Sequence, residues 1–130
     1  MNERVTTAGI VEKDGKYLLG CRNTEGSVNN EKWEFIGGKN RWGESEEDTL
    51  KREFMEELGV PVSVGELIAQ VDFTNKDTLY HLKAYHVYPE SDGFTLSVHS
   101  SLSYFTLSEM EGLDMVDSDK EIVRILDKSV

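Results

Sequence analysis

The chain has 130 residues, which suits one domain with a single hydrophobic core and leaves no room for a second. A formal net charge of −11 argues against the basic surface that binds nucleic-acid polymers or anionic membranes, although a divalent ion can bridge carboxylates to a small phosphorylated molecule. One cysteine excludes an internal disulfide, and no apolar run has the length of a membrane span or signal region. We therefore expect one cytoplasmic domain over residues 1–130.

The first third of the chain predicts a hairpin followed by a third strand. Val5–Val11 and Tyr17–Cys21 are apolar runs typical of buried strands, and Asp14-Gly15 between them is a turn signal. Residues 23–32 are polar and predict a flexible loop that can cover a substrate. Trp33–Ile36 then predicts a strand that leads into the most informative stretch of the sequence.

An amphipathic helix is predicted to begin near Glu46. Ser45 followed by Asp48 is an acidic variant of the capping box, Gly59 occupies the position of a left-handed C-terminal cap, and Pro61 prevents continuation. The apolar stripe that docks this helix on a core recurs at every fourth residue: Leu50, Phe54 and Leu58.

The same helix presents three carboxylates on one face. Glu53, Glu56 and Glu57 are spaced at i, i+3 and i+4, so they lie close together. Clustered like charges repel, which predicts a compensating cation, and oxygen ligands favour Mg²⁺, Mn²⁺ or Ca²⁺. Gly37 and Gly38 indicate a loop whose backbone approaches another group closely. The alternative interpretation of the glutamates is a solvated acidic face.

The second half of the chain predicts strands and a C-terminal helix. Val62–Phe73 is typical of a long or bulged strand, Asn75-Lys76-Asp77 is a turn signal, and Leu79–Tyr88 alternates like a strand with one face partly open to water. The remaining predicted elements are strands over Phe94–Val98 and Tyr104–Leu107, a helical turn capped by Ser108 and extending through Met110, and a helix capped by Ser118 with Glu121.

One motif in this sequence resembles that of a known family. Gly38, five residues, Glu44, seven residues and then Arg52–Val60 (REFMEELGV) resembles the Nudix box at every specified position. The preceding Trp33–Lys39 (WEFIGGK) is similar to the MutT-like branch, although Ile36 stands where that branch usually has proline. The resemblance implies the Nudix fold, an α/β/α sandwich with a mixed β-sheet. It also implies hydrolysis of a phosphoanhydride in a nucleoside diphosphate linked to a further moiety.

The resemblance assigns roles to the acidic helix and the loop before it. It implies that Glu56 and Glu57 are the core ligands of Mg²⁺ or Mn²⁺, and that Glu53 either binds metal or activates water. The backbone carbonyl of Gly37 or Gly38 is expected to add a ligand.

Two further features bear on catalysis. By resemblance, Arg52 and Glu44 form a supporting ion pair that orients the helix. Many relatives place another glutamate in the loop before the strand at Tyr104–Leu107, whereas residues 97–103 contain no carboxylate here. The general base is then Glu53, His99 or Glu90, or activity is modest. A zinc site is not expected, because the three histidines lack helical ligand spacing.

The expected substrate, by analogy with MutT-like relatives, is a nucleoside triphosphate cleaved to the monophosphate and pyrophosphate. Oxidised purine and cytidine triphosphates are the leading candidates. Arg22 at the end of the second strand is a candidate phosphate contact by resemblance, with a surface arginine as an equal alternative. Lys39 is a further candidate for substrate binding.

Base recognition has several candidates. The aromatic side chains on which a base could stack are Phe73, Tyr80, Tyr85 and Trp42, and the alternative for Trp42 is packing under its own loop. Asp117 or Asp119 is expected by resemblance to hydrogen-bond the base edge. The alternative is that both are solvated carboxylates beside a capping Ser118.

A different class of function is a non-catalytic nucleotide-binding or sensor module with the same fold. The missing loop carboxylate favours it, and the retention of Glu53, Glu56 and Glu57 does not. An acidic Ca²⁺-binding protein is disfavoured because the D-x-[DN]-x-[DN]-G loop is missing. The expected partner is a small-molecule nucleotide, with no nucleic-acid polymer or membrane, and the expected state is a monomer or homodimer.

Overall fold

The computed structural model describes residues 2–22 and 31–128, so most of the predicted flexible loop lies outside the described residues. The elements along the described chain are β1 (Asn2–Ile10), β2 (Glu12–Lys13), β3 (Lys16–Arg22), β4 (Trp33–Glu34), α1 (Glu46–Leu58), β5 (Val62–Asn75), β6 (Thr78–Pro89), β7 (His99–Phe105), α2 (Leu107–Met110) and α3 (Asp117–Lys128). No helix in these ranges is long and apolar enough to cross a membrane.

The strands form two sheets joined by the loop that follows β4. In the first sheet, β6 lies between β1, which is parallel to it, and β5, which is antiparallel. In the second, β3 pairs antiparallel with β2, β4 and β7. Isolated antiparallel bridges connect Gly9 to Ile36 and Thr6 to Lys39. The loop that follows β4 is therefore paired with β1 of the first sheet.

Two apolar clusters lie on opposite faces of β6. Leu82 and Ala84 belong to the cluster under α3, whereas Val87 belongs to the cluster under α1. Residues of odd and even number on a strand point to opposite faces, so the two helices cover opposite sides of the sheet. The buried side chains that α1 and α3 contribute to these clusters are Leu50, Phe54 and Leu58 from α1 and Ile122, Val123 and Leu126 from α3. The predicted α/β/α sandwich with a mixed sheet is confirmed.

Both ends of α1 form as their local chemistry predicts. The Ser45 hydroxyl accepts a hydrogen bond from the Asp48 N–H at 3.1 Å. Gly59 has φ of 66°, the left-handed conformation that glycine adopts without a Cβ clash, and its N–H donates to the Met55 carbonyl. The predicted turn at Asp14-Gly15 also forms, with positive φ at both residues, but the hairpin that it closes joins β2 to β3. The predicted pairing of the first strand in this hairpin is wrong, because β1 pairs with β6 in the other sheet.

The segment Phe94–Val98 is not a strand, and that prediction is wrong. The Thr95 N–H donates to the Leu58 carbonyl at 2.8 Å, and the Ser97 hydroxyl donates to the Glu56 carbonyl at 2.9 Å. The segment therefore satisfies carbonyls that the last turn of α1 leaves without helical partners, instead of adding to a sheet.

The boundary between β7 and α2 also differs from the prediction. The strand runs over His99–Phe105 rather than Tyr104–Leu107, and Leu107 is instead the first residue of α2. The cap of α2 is Thr106, not Ser108. The Thr106 hydroxyl accepts from the Glu109 N–H at 3.1 Å, and the Glu109 carboxylate accepts from the Thr106 N–H at 2.9 Å, which is a complete capping box.

Candidate active site

The acidic face of α1 is only partly solvated. The helix docks through its fully buried apolar stripe, which carries the neighbouring carboxylates toward the second sheet. The exposed fraction of the side chain is 6% for Glu57, 16% for Glu53 and 50% for Glu56. A solvated acidic face is therefore the wrong interpretation for Glu53 and Glu57.

The Glu57 carboxylate is buried without a hydrogen-bond donor. Neither of its oxygens accepts a hydrogen bond from the described residues, and the Glu53 carboxylate lies beside it. Burial, and then the neighbouring Glu53, raise the pKa of Glu57 well above its ordinary value. An unpartnered buried carboxylate destabilises a fold unless a cation compensates it, so this group fits a divalent ion.

The two glycines before the helix permit close approach of the loop backbone. A methyl group at Gly38 would lie 2.5 Å from the Cδ atom of Glu53, and one at Gly37 would collide with the Thr7 carbonyl. The Gly38 carbonyl accepts from both the N–H and the hydroxyl of Thr7, at 2.8 and 2.9 Å. Both of its lone pairs are engaged, so of the two predicted carbonyl ligands only that of Gly37 is available.

Arg52 joins the acidic residues into one network, as predicted for a supporting pair. Its Nε and Nη2 donate to the two oxygens of Glu44 at 2.7 and 3.0 Å, while Nη1 donates to Glu53 at 2.7 Å and to Glu56 at 3.3 Å. The hydrogen bond from Arg52 is the main reason that the pKa of Glu44 falls to about 2. Arg52 thus fixes the positions of Glu53 and Glu56.

Glu34 of β4 is a member of the site that the sequence reasoning missed. Its Oε2 accepts from Arg22 Nε at 2.7 Å and lies 2.9 Å from His99 Nε2, which is 3.9 Å from Glu57 Oε1. One ligand atom from each of Glu34, His99 and Glu57 falls within 4.8 Å of the others. A signal was present, since a lone glutamate alternates with the apolar Trp33 and Phe35 in this strand.

The alternatives for the general base now separate by position. Glu53 and His99 both lie at this acidic cluster. Glu90 follows the end of β6, is exposed, and its N–H donates to the Pro61 carbonyl beyond the C-terminal cap of α1. Glu90 has no contact with the cluster among the described residues, so Glu53 and His99 are the better-placed candidates.

Two adjoining cavities open beside the acidic cluster. One, of about 390 Å³, is lined by Glu53, the two loop glycines and cations from several elements. These cations are Arg4, Arg22, Lys39, Arg41 and Arg52. Arg4 and Lys39 form no ion pair with a carboxylate in the described part of the chain. The other three are paired with carboxylates, so the charge that this cavity offers to an anionic ligand comes mainly from Arg4 and Lys39.

The second cavity, of about 220 Å³, extends from Arg22, Glu34 and Lys39 toward α3. Its lining also includes Asp119 and Phe73, whose ring stacks on Tyr80 with centroids 5.2 Å apart. The predicted substrate contacts Arg22, Lys39, Phe73 and Asp119 therefore all line this cavity, and Arg22 and Lys39 also line the first one.

The two aspartates of α3 differ sharply. This helix begins at Asp117, so the predicted cap Ser118 lies within the first turn, and that prediction is wrong. Asp117 is 89% exposed at its side chain and pairs with Lys120, so it is the solvated carboxylate and does not line the cavity. Asp119 is buried and accepts from the Phe35 N–H at 2.9 Å, and burial raises its pKa to about 7.

Two of the other aromatic candidates lie outside these two cavities. Trp42 is 101% exposed, so its predicted packing under the loop is wrong. The Tyr85 hydroxyl donates to Glu46 on α1, and Tyr85 does not line either cavity.

The comparisons with known proteins agree with this geometry. The NUDIX domain family matches residues 2–125. The chain belongs to the NUDIX domain family. This Nudix hydrolase is 40% identical over 106 residues to the CTP pyrophosphohydrolase of Escherichia coli strain K12, covering 82% of this chain and 76% of that protein.

Solved structures show the same Nudix architecture. The solution structure of the E. coli ORF135 protein has a TM-score of 0.87 and 29% identity, covering 98% of this chain and 91% of that one. A MutT protein from Methanosarcina mazei Go1 has a TM-score of 0.86 and 23% identity, covering 98% and 95%, and establishes the fold alone. The resemblance of the motif to the Nudix family is confirmed. Nudix proteins generally use a divalent metal ion, and the unpartnered Glu57 carboxylate in the cluster with Glu34 and His99 fits such an ion.

Proposed function

We propose that this Nudix hydrolase cleaves a phosphoanhydride of a nucleoside triphosphate to give the monophosphate and pyrophosphate, with Mg²⁺ or Mn²⁺ as cofactor. The observation that carries the proposal is the unpartnered buried carboxylate of Glu57 next to a cavity lined by five cations. An acidic ligand set beside a basic cavity suits a substrate whose phosphates are bridged to the protein by a divalent ion.

The metal ligands in this proposal are Glu53, Glu56, Glu57 and the carbonyl of Gly37. A bound divalent ion neutralises phosphate charge and activates a water molecule for attack. Arg52 holds Glu53 and Glu56 at the distances given above, so these carboxylates need little reorganisation when the substrate arrives. Glu53 is the carboxylate best placed to accept a proton from the attacking water.

The phosphate chain is assigned to the basic cavity. Arg4 and Lys39 have no carboxylate partner within the described chain, so their charge is available to an anion. Arg22 binds Glu34 through Nε, which leaves its two terminal nitrogens for phosphate oxygens. These contacts hold the scissile anhydride against the acidic helix.

The base is assigned to the second cavity, and cytosine is the first candidate. Phe73 offers a face for stacking, and the Asp119 oxygen that does not accept from Phe35 can accept from an amino group such as N4 of cytosine. The similarity to a CTP pyrophosphohydrolase supports this choice.

The remaining features of the proposal concern the whole protein. We infer one Nudix domain over residues 1–130, in agreement with the family match over 2–125. We also infer a cytoplasmic monomer or homodimer that binds a small nucleotide. The net charge of −11 supports the further inference that neither a nucleic-acid polymer nor a membrane is a partner.

A panel of nucleoside triphosphates, assayed with Mg²⁺ or Mn²⁺ for both pyrophosphate and phosphate, tests the proposal. Pyrophosphate is the expected product, and CTP is expected to give the highest kcat/KM. The sensor-module alternative is supported instead if nucleotides bind in the presence of metal and none is hydrolysed. Glu47→Gln is a matched control on the same helix, because Glu47 is exposed and its one ion pair among the described residues is with Lys51.

A further inference from the structure

Building on the metal site of the proposed function, we propose that His99 is a direct metal ligand through Nε2, in a cluster with Glu34 and Glu57. The site then has mixed nitrogen and oxygen ligands, and it favours Mn²⁺ over Mg²⁺. This ligand comes from β7, far in sequence from the acidic helix.

The distances suit coordination of a single ion. His99 Nε2 lies 2.9 Å from Glu34 Oε2 and 3.9 Å from Glu57 Oε1. Ligands about 2.1 Å from an octahedral ion are about 3.0 Å apart when adjacent and about 4.2 Å apart when opposite. The separation of 2.9 Å, at which the two groups are hydrogen-bonded here, is close to the first value, and the separation of 3.9 Å lies between the two. An ion that replaces the Nε2 proton can therefore contact all three residues with small adjustments.

Burial supplies an independent reason. The His99 side chain is 0% exposed, and its Nδ1 has no hydrogen-bond partner among the described residues. The other ring nitrogen, Nε2, faces Glu34 and Glu57 at the distances given above, and neither Glu57 oxygen accepts a hydrogen bond from the described residues. A cation between these residues satisfies the Glu57 carboxylate and takes the place of the Nε2 proton, which moves to Nδ1 when the neutral ring changes tautomer.

The backbone fixes the imidazole in this position. A methyl group at Gly20 of β3 would lie 2.6 Å from His99 Cδ2, so the glycine opens the space that the ring occupies. The pairing of β3 with β7 shifts register between Cys21 and Arg22, and the shift places Arg22 opposite His99. Arg22 in turn holds Glu34 at 2.7 Å. The His99 ring and the Glu34 carboxylate are thus held in place before a metal ion binds.

The ligand chemistry determines which ion this arrangement favours. Magnesium prefers an all-oxygen shell and keeps several waters, whereas imidazole nitrogen binds first-row transition metals more strongly. One imidazole among carboxylates therefore shifts the preference toward Mn²⁺. Glutamates alone would leave Mg²⁺ and Mn²⁺ more evenly matched.

Electron spin-echo spectroscopy of the full chain with Mn²⁺ alone tests this proposal without an activity measurement. Wild-type protein is expected to show nuclear coupling from a directly bound imidazole nitrogen, and labelling histidine with ¹⁵N is expected to change it. The coupling should be lost in His99→Gln and kept in His86→Gln. The ratio of Mn²⁺ to Mg²⁺ affinity should fall about tenfold in His99→Gln only.

The outcomes separate this inference from the proposed function. If Mn²⁺ binds, Glu57→Gln abolishes that binding, and no nitrogen coupling is seen, the His99 assignment is wrong and the glutamate site stands. If Mn²⁺ does not bind, or binds equally well to Glu57→Gln, both proposals fail. If His99→Gln does not fold, the His81→Gln/His86→Gln double variant decides, because the chain has three histidines. Retained coupling assigns the ligand to His99, and lost coupling overturns the assignment.

Discussion

Gly38→Ala should separate catalysis from folding. The new methyl group would lie 2.5 Å from Glu53 Cδ and 2.6 and 2.8 Å from its oxygens, whereas ordinary contact begins at 3.4 Å. The obstacle is the end of a flexible side chain, so the carboxylate can move away without unfolding the loop. A displacement of about 1 Å at a catalytic group can cost about 100-fold in rate, which corresponds to about 2.7 kcal/mol of transition-state stabilisation.

The assay measures kcat/KM for pyrophosphate release together with the free energy of unfolding. We expect kcat/KM to fall by about 100-fold while the free energy of unfolding changes by less than about 1 kcal/mol, because alanine restricts the unfolded chain. Gly112→Ala is the control, since the nearest atom to a methyl group there is 3.8 Å away. Activity within about threefold of wild type in a folded Gly38→Ala variant would refute the assigned role of Glu53.

Three further predictions concern titration, positioning and capping. The pKa of Asp119 is about 7 in the fold against an ordinary 3.8, so the folded state holds a proton that the unfolded chain releases between these pH values. The free energy of unfolding should therefore fall as pH rises through them, by at most about 4 kcal/mol. Asp119→Asn should remove this loss in denaturation series at pH 4 and pH 8, and an equal loss in wild type and variant would contradict it. Arg52→Lys loses the fork that binds Glu44 and should lower kcat at least about tenfold in steady-state assays, and unchanged kcat would argue against positioning. Thr106→Ala should lower the free energy of unfolding by about 1 kcal/mol, whereas Ser108→Ala should not, and the reverse order would restore Ser108 as the cap.

The helix and its ends could be predicted because their determinants are local. The cap at Ser45, the glycine at position 59 and the apolar stripe all act within a few residues of one another, so neighbouring letters of the sequence are enough. The same holds for the turn at Asp14 and for the spacing of the glutamates on one face.

The errors arise where distant segments supply the partner. The Phe94–Val98 segment donates hydrogen bonds to carbonyls at the end of α1. An argument from strand propensity does not consider these distant partners. Asp119 is buried, and the donor that compensates its carboxylate is the Phe35 N–H, 84 positions away. Glu34 contacts His99, 65 positions away, because β3 pairs with both β4 and β7 and brings the two residues together. Local sequence patterns do not show this contact.

Glu57→Gln tests the metal-binding role most directly when thermal unfolding is measured with and without Mg²⁺ or Mn²⁺. The substitution keeps the shape of the side chain and removes a buried carboxyl whose raised pKa forces the fold to take up a proton at neutral pH, so the variant without divalent ion should be at least as stable as wild type. It should lose the rise in Tm that the ion gives wild type and Glu47→Gln, and turnover should fall at least about 100-fold. An unchanged metal-dependent rise in Tm, or turnover like that of wild type, would contradict the assignment of Glu57 as the central ligand.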